Sequence, residues 1–272
     1  MASRALPVSK LKARRRRRLI SIIVALCVLV VVLLGGVVGL SWLPAIRVHT
    51  VDIVGASSVK DSVLEEMVGD DLRGTYFGVL ARDTIFFYPQ SSIEEKLLAG
   101  FPAFSSVEIR RSGLQSLVVT ITERSTTAFW CGESAASPSA CFLLDGSGVA
   151  YAPAANFSGQ VYVNYYGPLS GTNVKQFSTP EQFRAISALV VALQKTAGEA
   201  PLQVEVDDTD VQVTFKSGFK IIYRILDNSA DVLERFSLAI KAEPFTKHAL
   251  SDFEYLDLRF GDKLYYKLKV QP

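Results

Sequence analysis

Five consecutive arginines, Arg14 to Arg18, run directly into an uncharged apolar stretch from Leu19 to Leu43. A bilayer core of about 30 Å needs about 20 apolar residues in a helix. This stretch is long enough to span, and nothing else in the sequence is. A cleaved signal peptide would carry a shorter apolar region ending in small residues. Here the stretch ends in Ser41-Trp42-Leu43-Pro44, with the tryptophan suited to the far interface. The sequence therefore predicts a basic cytoplasmic tail over 1–18, a transmembrane helix over 19–43 and a folded body beyond. Basic residues beside a span stay on the cytoplasmic side, which places that body outside the cytoplasm. Gly35 and Gly39 have the spacing that lets two membrane helices approach closely.

The formal charge of +2 conceals a division. Of 29 basic residues, eight lie in residues 1–18 and none in the apolar stretch, so the body holds 21 against 27 acidic, a formal −6. A nucleic-acid binder needs the opposite, a basic patch on its folded domain. The arginines read as a topology signal, and nucleic-acid binding is excluded.

Outside the cytoplasm disulfides persist. Cys131 and Cys141 flank a turn-rich tract between two apolar segments, which fits a disulfide across a hairpin loop; two free thiols are the other reading. Two isolated cysteines do not complete a metal-ligand set. Cys27 lies within the span. Asn156-Phe157-Ser158 fits a glycosylation sequon, relevant only in a secretory eukaryotic setting.

Hydrophobic periodicity organises the rest. Ile46–Val54 alternates as a strand that Gly55 ends. Ser58 is the expected cap of a helix carrying Val63, Leu64, Met67 and Val68, with Gly69 as its stop. A loop with Gly74, Tyr76, Phe77 and Gly78 leads to a second helix with Ile93, Leu97 and Leu98. Val107–Arg110 and Leu117–Thr122 read as paired strands around Ser112-Gly113. The order strand, helix, helix, strand, strand predicts two helices on one face of a three-stranded sheet. Short strands follow on both sides of the cysteine loop, at Val149–Tyr151 and at Gln160–Tyr166. Thr179-Pro180-Glu181-Gln182 is a helix start with a capping box. Phe183, Ile186, Leu189, Val190 and Leu193 form the apolar stripe of that helix, and Gly198 ends it. Leu202–Val206, Val211–Phe215 and Phe219–Ile225 form a meander. A helix carries Val232, Leu233, Phe236 and Ile240. Phe253–Phe260 and Leu264–Val270 are closing strands, the last an expected edge. Adjacent Tyr265 and Tyr266 point to opposite faces, so one is expected in the core and the other available to a partner.

No catalytic constellation is legible. His49 and His248 have no nucleophile at a readable spacing, Asp207-Asp208-Thr209-Asp210 lacks the spacing of a calcium loop, and neither a phosphate loop nor zinc spacing occurs.

Val51-Asp52-Ile53-Val54-Gly55, the two helices, Val107-Glu108-Ile109-Arg110-Arg111 and Val118-Val119-Thr120-Ile121-Thr122-Glu123-Arg124 resemble a POTRA domain of the FtsQ/DivIB kind. Ala128-Phe129-Trp130, Leu143-Leu144-Asp145-Gly146-Ser147-Gly148-Val149-Ala150-Tyr151 and Tyr255-Leu256-Asp257-Leu258-Arg259-Phe260 are similar to that family's β-domain. The resemblance implies an α+β chain with a POTRA domain (β-α-α-β-β) over 46–124 and an antiparallel-sheet β-domain with two flanking helices over 125–272. It implies a non-enzymatic divisome scaffold in the cytoplasmic membrane at the septum. Its partners would be FtsB/FtsL-like bitopic division proteins, bound by strand addition at the last strand, with no cofactor, metal or small-molecule substrate. By position it implies partner contacts from Arg259, Phe260 and Tyr265 or Tyr266. The sequence departs from the family where basic positions fall near Thr50 and Ala200-Pro201, and where Ser125 follows Glu123-Arg124. A POTRA-containing secretion or outer-membrane transport component is the alternative, but the sequence shows neither tandem repeats nor a barrel.

Overall fold

A computed structural model describes residues 8–155, 162–172 and 174–270. The sequon at Asn156 lies outside the described residues. The chain is mixed α+β and divides into two compact units. One holds residues up to Gly100 with Phe104–Glu123; the other holds Phe101–Ala103 with Arg124 onward.

The first unit begins with α1, Val8–Ser41, the one helix among the described residues long and apolar enough to cross a membrane. It differs from the predicted span at both ends. Arginine and lysine are good helix formers, and the helix runs back through them to Val8. It stops at Ser41 because Leu43 and Pro44 open a 3-10 turn, Pro44–Ile46. That turn also shortens the first strand. β1 is Thr50–Val54, not Ile46–Val54, and Arg47 bridges to Thr84 instead.

The elements α2 (Asp61–Leu72), β2 (Thr75–Tyr76), β3 (Leu80–Ala81), α3 (Gln90–Gly100), β4 (Phe104–Arg111) and β5 (Ser116–Glu123) follow. The sheet order is β1-β5-β4, with β1 parallel and β4 antiparallel to β5. Leu117, Val119 and Ile121 of β5 are buried while Thr120 and Thr122 are exposed, the period-2 signature of a sheet covered on one face. Leu64, Val68 and Leu72 of α2 and Ile93 and Leu97 of α3 bury their stripes. Val63 is exposed, and Gly69 is inside α2 instead of ending it. The predicted loop around Gly74–Gly78 forms the first strand and turn of the β2–β3 hairpin, which continues to Ala81. Gly55 does end β1: at φ 92°, a Cβ there would stand 2.2 Å from the Ile121 carbonyl oxygen.

Ser58 does not cap α2. The N-cap is Lys60, without a side-chain hydrogen bond. Glu123 takes the serines instead. Its carboxylate accepts from the Ser57 and Ser58 hydroxyls and from both their amides, with Ser58 N–H at 2.7 Å. These bonds, the Ser57 hydroxyl foremost, hold the Glu123 pKa down to about 2.

The second unit is built on a ten-stranded sheet. Its strands are β6 (Thr126–Trp130), β7 (Phe142–Asp145), β8 (Val149–Pro153), β9 (Asn164–Tyr166), β10 (Lys175–Gln176), β11 (Pro201–Val206), β12 (Asp210–Phe215), β13 (Lys220–Arg224), β14 (Phe253–Phe260) and β15 (Lys263–Leu268). The order is β10-β8-β7-β6-β9-β11-β12-β13-β14-β15. The sheet is mixed, not antiparallel as expected. β9 runs parallel to β6 and β11, and β13 runs parallel to β14, because α5 (Ser229–Ala239) carries the chain across between those last two.

Thr179 caps α4 (Pro180–Ala197), its hydroxyl accepting from the Gln182 N–H at 3.3 Å. The Gln182 side chain meets the Thr179 hydroxyl, so the reciprocal half of the capping box is not made. All five predicted stripe residues of α4 are buried, and Gly198 at φ 69° closes it. Phe183, Phe215, Phe219, Phe236 and Phe253 are fully buried. Each such ring contributes about 1.5–3 kcal/mol, and they make this core the larger reservoir of stability. Arg124 donates to Asp145 at 2.5 Å, and both side chains are largely buried. Burial opposes ionisation of Asp145, but bonds from Val149, Ser147 and Arg124 outweigh it and hold the pKa below the usual carboxylate value. Cys131 and Cys141 are joined by a disulfide between β6 and β7.

Candidate partner-binding edge

The β14–β15 hairpin ends the sheet. Phe253, Leu256 and Leu258 are completely buried, and Gly261-Asp262 turns the chain into β15. One extra residue of β14 sits between the Phe253–Leu268 and Tyr255–Lys267 pairs, a bulge that increases local twist. Among the described residues β15 has no second neighbour.

Strand alternation decides which backbone groups are open. The Lys269 N–H donates inward to Asp252 O at 2.8 Å. Groups two residues apart point the same way, so Lys267 and Tyr265 also face β14. Leu264, Tyr266 and Leu268 turn their N–H and C=O groups to the open side.

The four residues singled out by the sequence do not form one cluster. Phe260 and Tyr265 pack edge to face, centroids 5.1 Å apart, and each is about half exposed. The Arg259 guanidinium lies 5.6 Å from the Phe260 ring centre. Tyr266 is on the other face, where it packs on Phe245 and Phe253 at 5.8 and 5.9 Å. At 46% exposure it is not the core residue expected, because the edge leaves its outer flank uncovered.

Arg259 is engaged within the fold. Its side chain donates to Asp257 at 2.6 Å and to Asp210 at 2.5 Å, tying β14 to the β11–β12 turn. Burial works against the Asp257 carboxylate, yet the Arg259 bonds prevail and its pKa lies below the usual value. The Arg259 pKa is raised, Asp257 being the main cause. These bonds fix the guanidinium beside the Phe260 ring.

An open groove of about 480 Å³ adjoins this cluster, lined by Asp210, Leu226, Arg259 and Phe260 among others. Leu226 is 87% exposed and did not stand out in the sequence. Its signal there was slight, an apolar residue in a turn immediately after a strand. Lys267 pairs with Glu254 at 2.6 Å and the Lys269 ammonium reaches Ser217 O at 2.8 Å. Two of the lysines on this hairpin are thus drawn toward the sheet and away from its open side.

Groups with potential chemistry lie elsewhere and apart. His49 Nδ1 is 2.7 Å from Arg47 O, and His248 is 3.8 Å from Asp252. Asp207 accepts from the Thr209 and Asp210 amides, a hairpin-turn role that lowers its pKa. Among the described residues no group of three His, Cys, Asp or Glu is placed to hold a metal.

No protein-family model matches the chain, and no curated protein matches it in sequence.

Proposed function

We propose that this protein is a membrane-anchored scaffold that recruits a partner by β-strand addition to β15. The observation that carries the reading is the open edge itself. Three residues offer backbone groups with no strand partner among the described residues, with an exposed Phe260–Tyr265 pair beside them to select side chains. Main-chain bonds supply affinity, and pockets for alternate partner residues supply specificity.

The finer reading is an FtsQ/DivIB-like divisome protein. Supporting it are the β1-β5-β4 sheet of the first unit with its two helices α2 and α3, between which the β2–β3 hairpin is inserted, an arrangement that suits a POTRA domain, and the apolar helix that precedes that sheet in the chain. On this reading the arginines hold the N-terminus in the cytoplasm, the body is extracytoplasmic at the septum, and the partners are FtsB/FtsL-like single-span proteins. The role is to link division proteins, without catalysis.

Copurification from cells with mass spectrometry of the bound proteins tests the reading. Single-span division proteins are expected, and Phe260→Lys is expected to release them while the fold is retained. Normal septation after clean deletion of the gene, or unchanged capture by folded Phe260→Lys, defeats it.

A further inference from the structure

The end of α1 is fastened to the β2–β3 hairpin. The Trp42 indole N–H donates to Val79 O at 2.9 Å, and the Ala81 N–H of β3 reaches the Ser41 hydroxyl oxygen at 3.5 Å. Ser41 is only 2% exposed, enclosed at this junction. The hairpin loop is Phe77-Gly78-Val79. Phe77 is 100% exposed, and its φ of 52° is a left-handed conformation that bulky residues avoid. Val79, Trp42 and Leu43 are each about half exposed. A wholly exposed phenylalanine on a disfavoured backbone, pinned beside a tryptophan at the mouth of an apolar helix, is poor design for a surface in water.

We infer that the Phe77–Val79 loop is a second membrane anchor, inserted into the lipid interface beside the end of α1. The inference rests on α1 being a membrane span. From Leu19 to Ser41 the helix rises about 34 Å, just over the roughly 30 Å of a bilayer core. Trp42 then falls at the far interface, where tryptophan is favoured. The hydrogen bond from Trp42 to Val79 sets the loop at that same depth. Near the loop, Arg47 pairs with Asp83 at 2.5 Å, Arg73 pairs with Asp70 at 2.7 Å, and the Arg82 guanidinium lies over the Tyr76 ring. The attraction is therefore apolar and does not need anionic lipid.

The test uses the full chain in phosphatidylcholine vesicles, in a Cys27→Ala background with the native disulfide intact. A spin label is placed at Val79, at Leu29 within α1, or at Leu226, and its depth is read from collisions with oxygen and with a water-soluble nickel complex. The expected result is Leu29 deep, Leu226 aqueous, and Val79 within about 5–10 Å of the headgroup–acyl boundary. Phe77→Asn keeps a residue tolerant of the left-handed backbone and should move the Val79 label into water. A Val79 label as aqueous as Leu226, with Leu29 deep, overturns the anchor and spares the span. An aqueous Leu29 label overturns both. Insertion that needs anionic lipid, or that survives Phe77→Asn, overturns the apolar mechanism.

Discussion

The two edges of the ten-stranded sheet solve opposite problems. β10 is two residues long, and the outer backbone of Gln176 is already used: its N–H and C=O both pair with Ser170 at 2.8 Å. β15 is six residues long, and three of its residues direct backbone groups outward with no neighbour among the described residues. Exposed edges invite unwanted pairing, and folds usually blunt them. Here one is blunted and the other kept open within the same sheet, which points to a use for the open one.

The largest expected effect separates the edges by stability. Replacing Cys131 and Cys141 with alanine removes a crosslink of ten residues' separation, worth about 2–3 kcal/mol in the chain-entropy account. A clear fall in melting temperature is expected, with partner capture by the still-folded protein unchanged. Lost capture would show that the edges are not independent. Next, Leu268→Pro removes an outward N–H without breaking an internal bond, a position where edge strands tolerate proline. Partner affinity should fall about tenfold, or ~1.4 kcal/mol, with a nearly unaltered melt; equal affinity would mean that β15 is not the docking strand. The converse variant, Ser170→Pro, opens the blunted edge. It should cost about 1 kcal/mol of stability and leave capture intact, both readable by denaturant titration beside the pull-down.

The smallest effect belongs to the first unit and serves as a control for both edges. Glu123 titrates near 2 in the fold against an ordinary 4.5. A lowered folded pKa gives stability that is present above about pH 4.5 and is lost as the pH falls toward 2. Glu123→Gln should flatten that part of the stability profile. The group is partly exposed to solvent, so screening holds the effect below about 1 kcal/mol, and capture at pH 7 should not change.

The features legible in the sequence were those with a local period. The α4 stripe and the β11–β13 meander follow from spacing alone, because burial of one face imposes it. Pairings between distant residues were not legible. Ser58 has the right chemistry for a helix cap, but Glu123, 65 residues away, occupies its hydroxyl. The parallel pairs of β9 escaped notice because alternation does not encode strand direction. At the candidate edge, the last strand and its aromatics stood out as a pattern. That Arg259 serves Asp257 and Asp210, and that Tyr265 and Tyr266 are both half exposed, depends on neighbours that only the fold supplies.

The enclosed Ser41 has a mechanical consequence. A flexible joint after a helix lets the next segment swivel; a joint held by the Trp42–Val79 hydrogen bond around a buried Ser41 passes on torque. Turning α1 about its axis would turn the rest of the first unit with it. The Gly35 and Gly39 side of the helix, where an added Cβ meets nothing, thus keeps a fixed bearing relative to that unit.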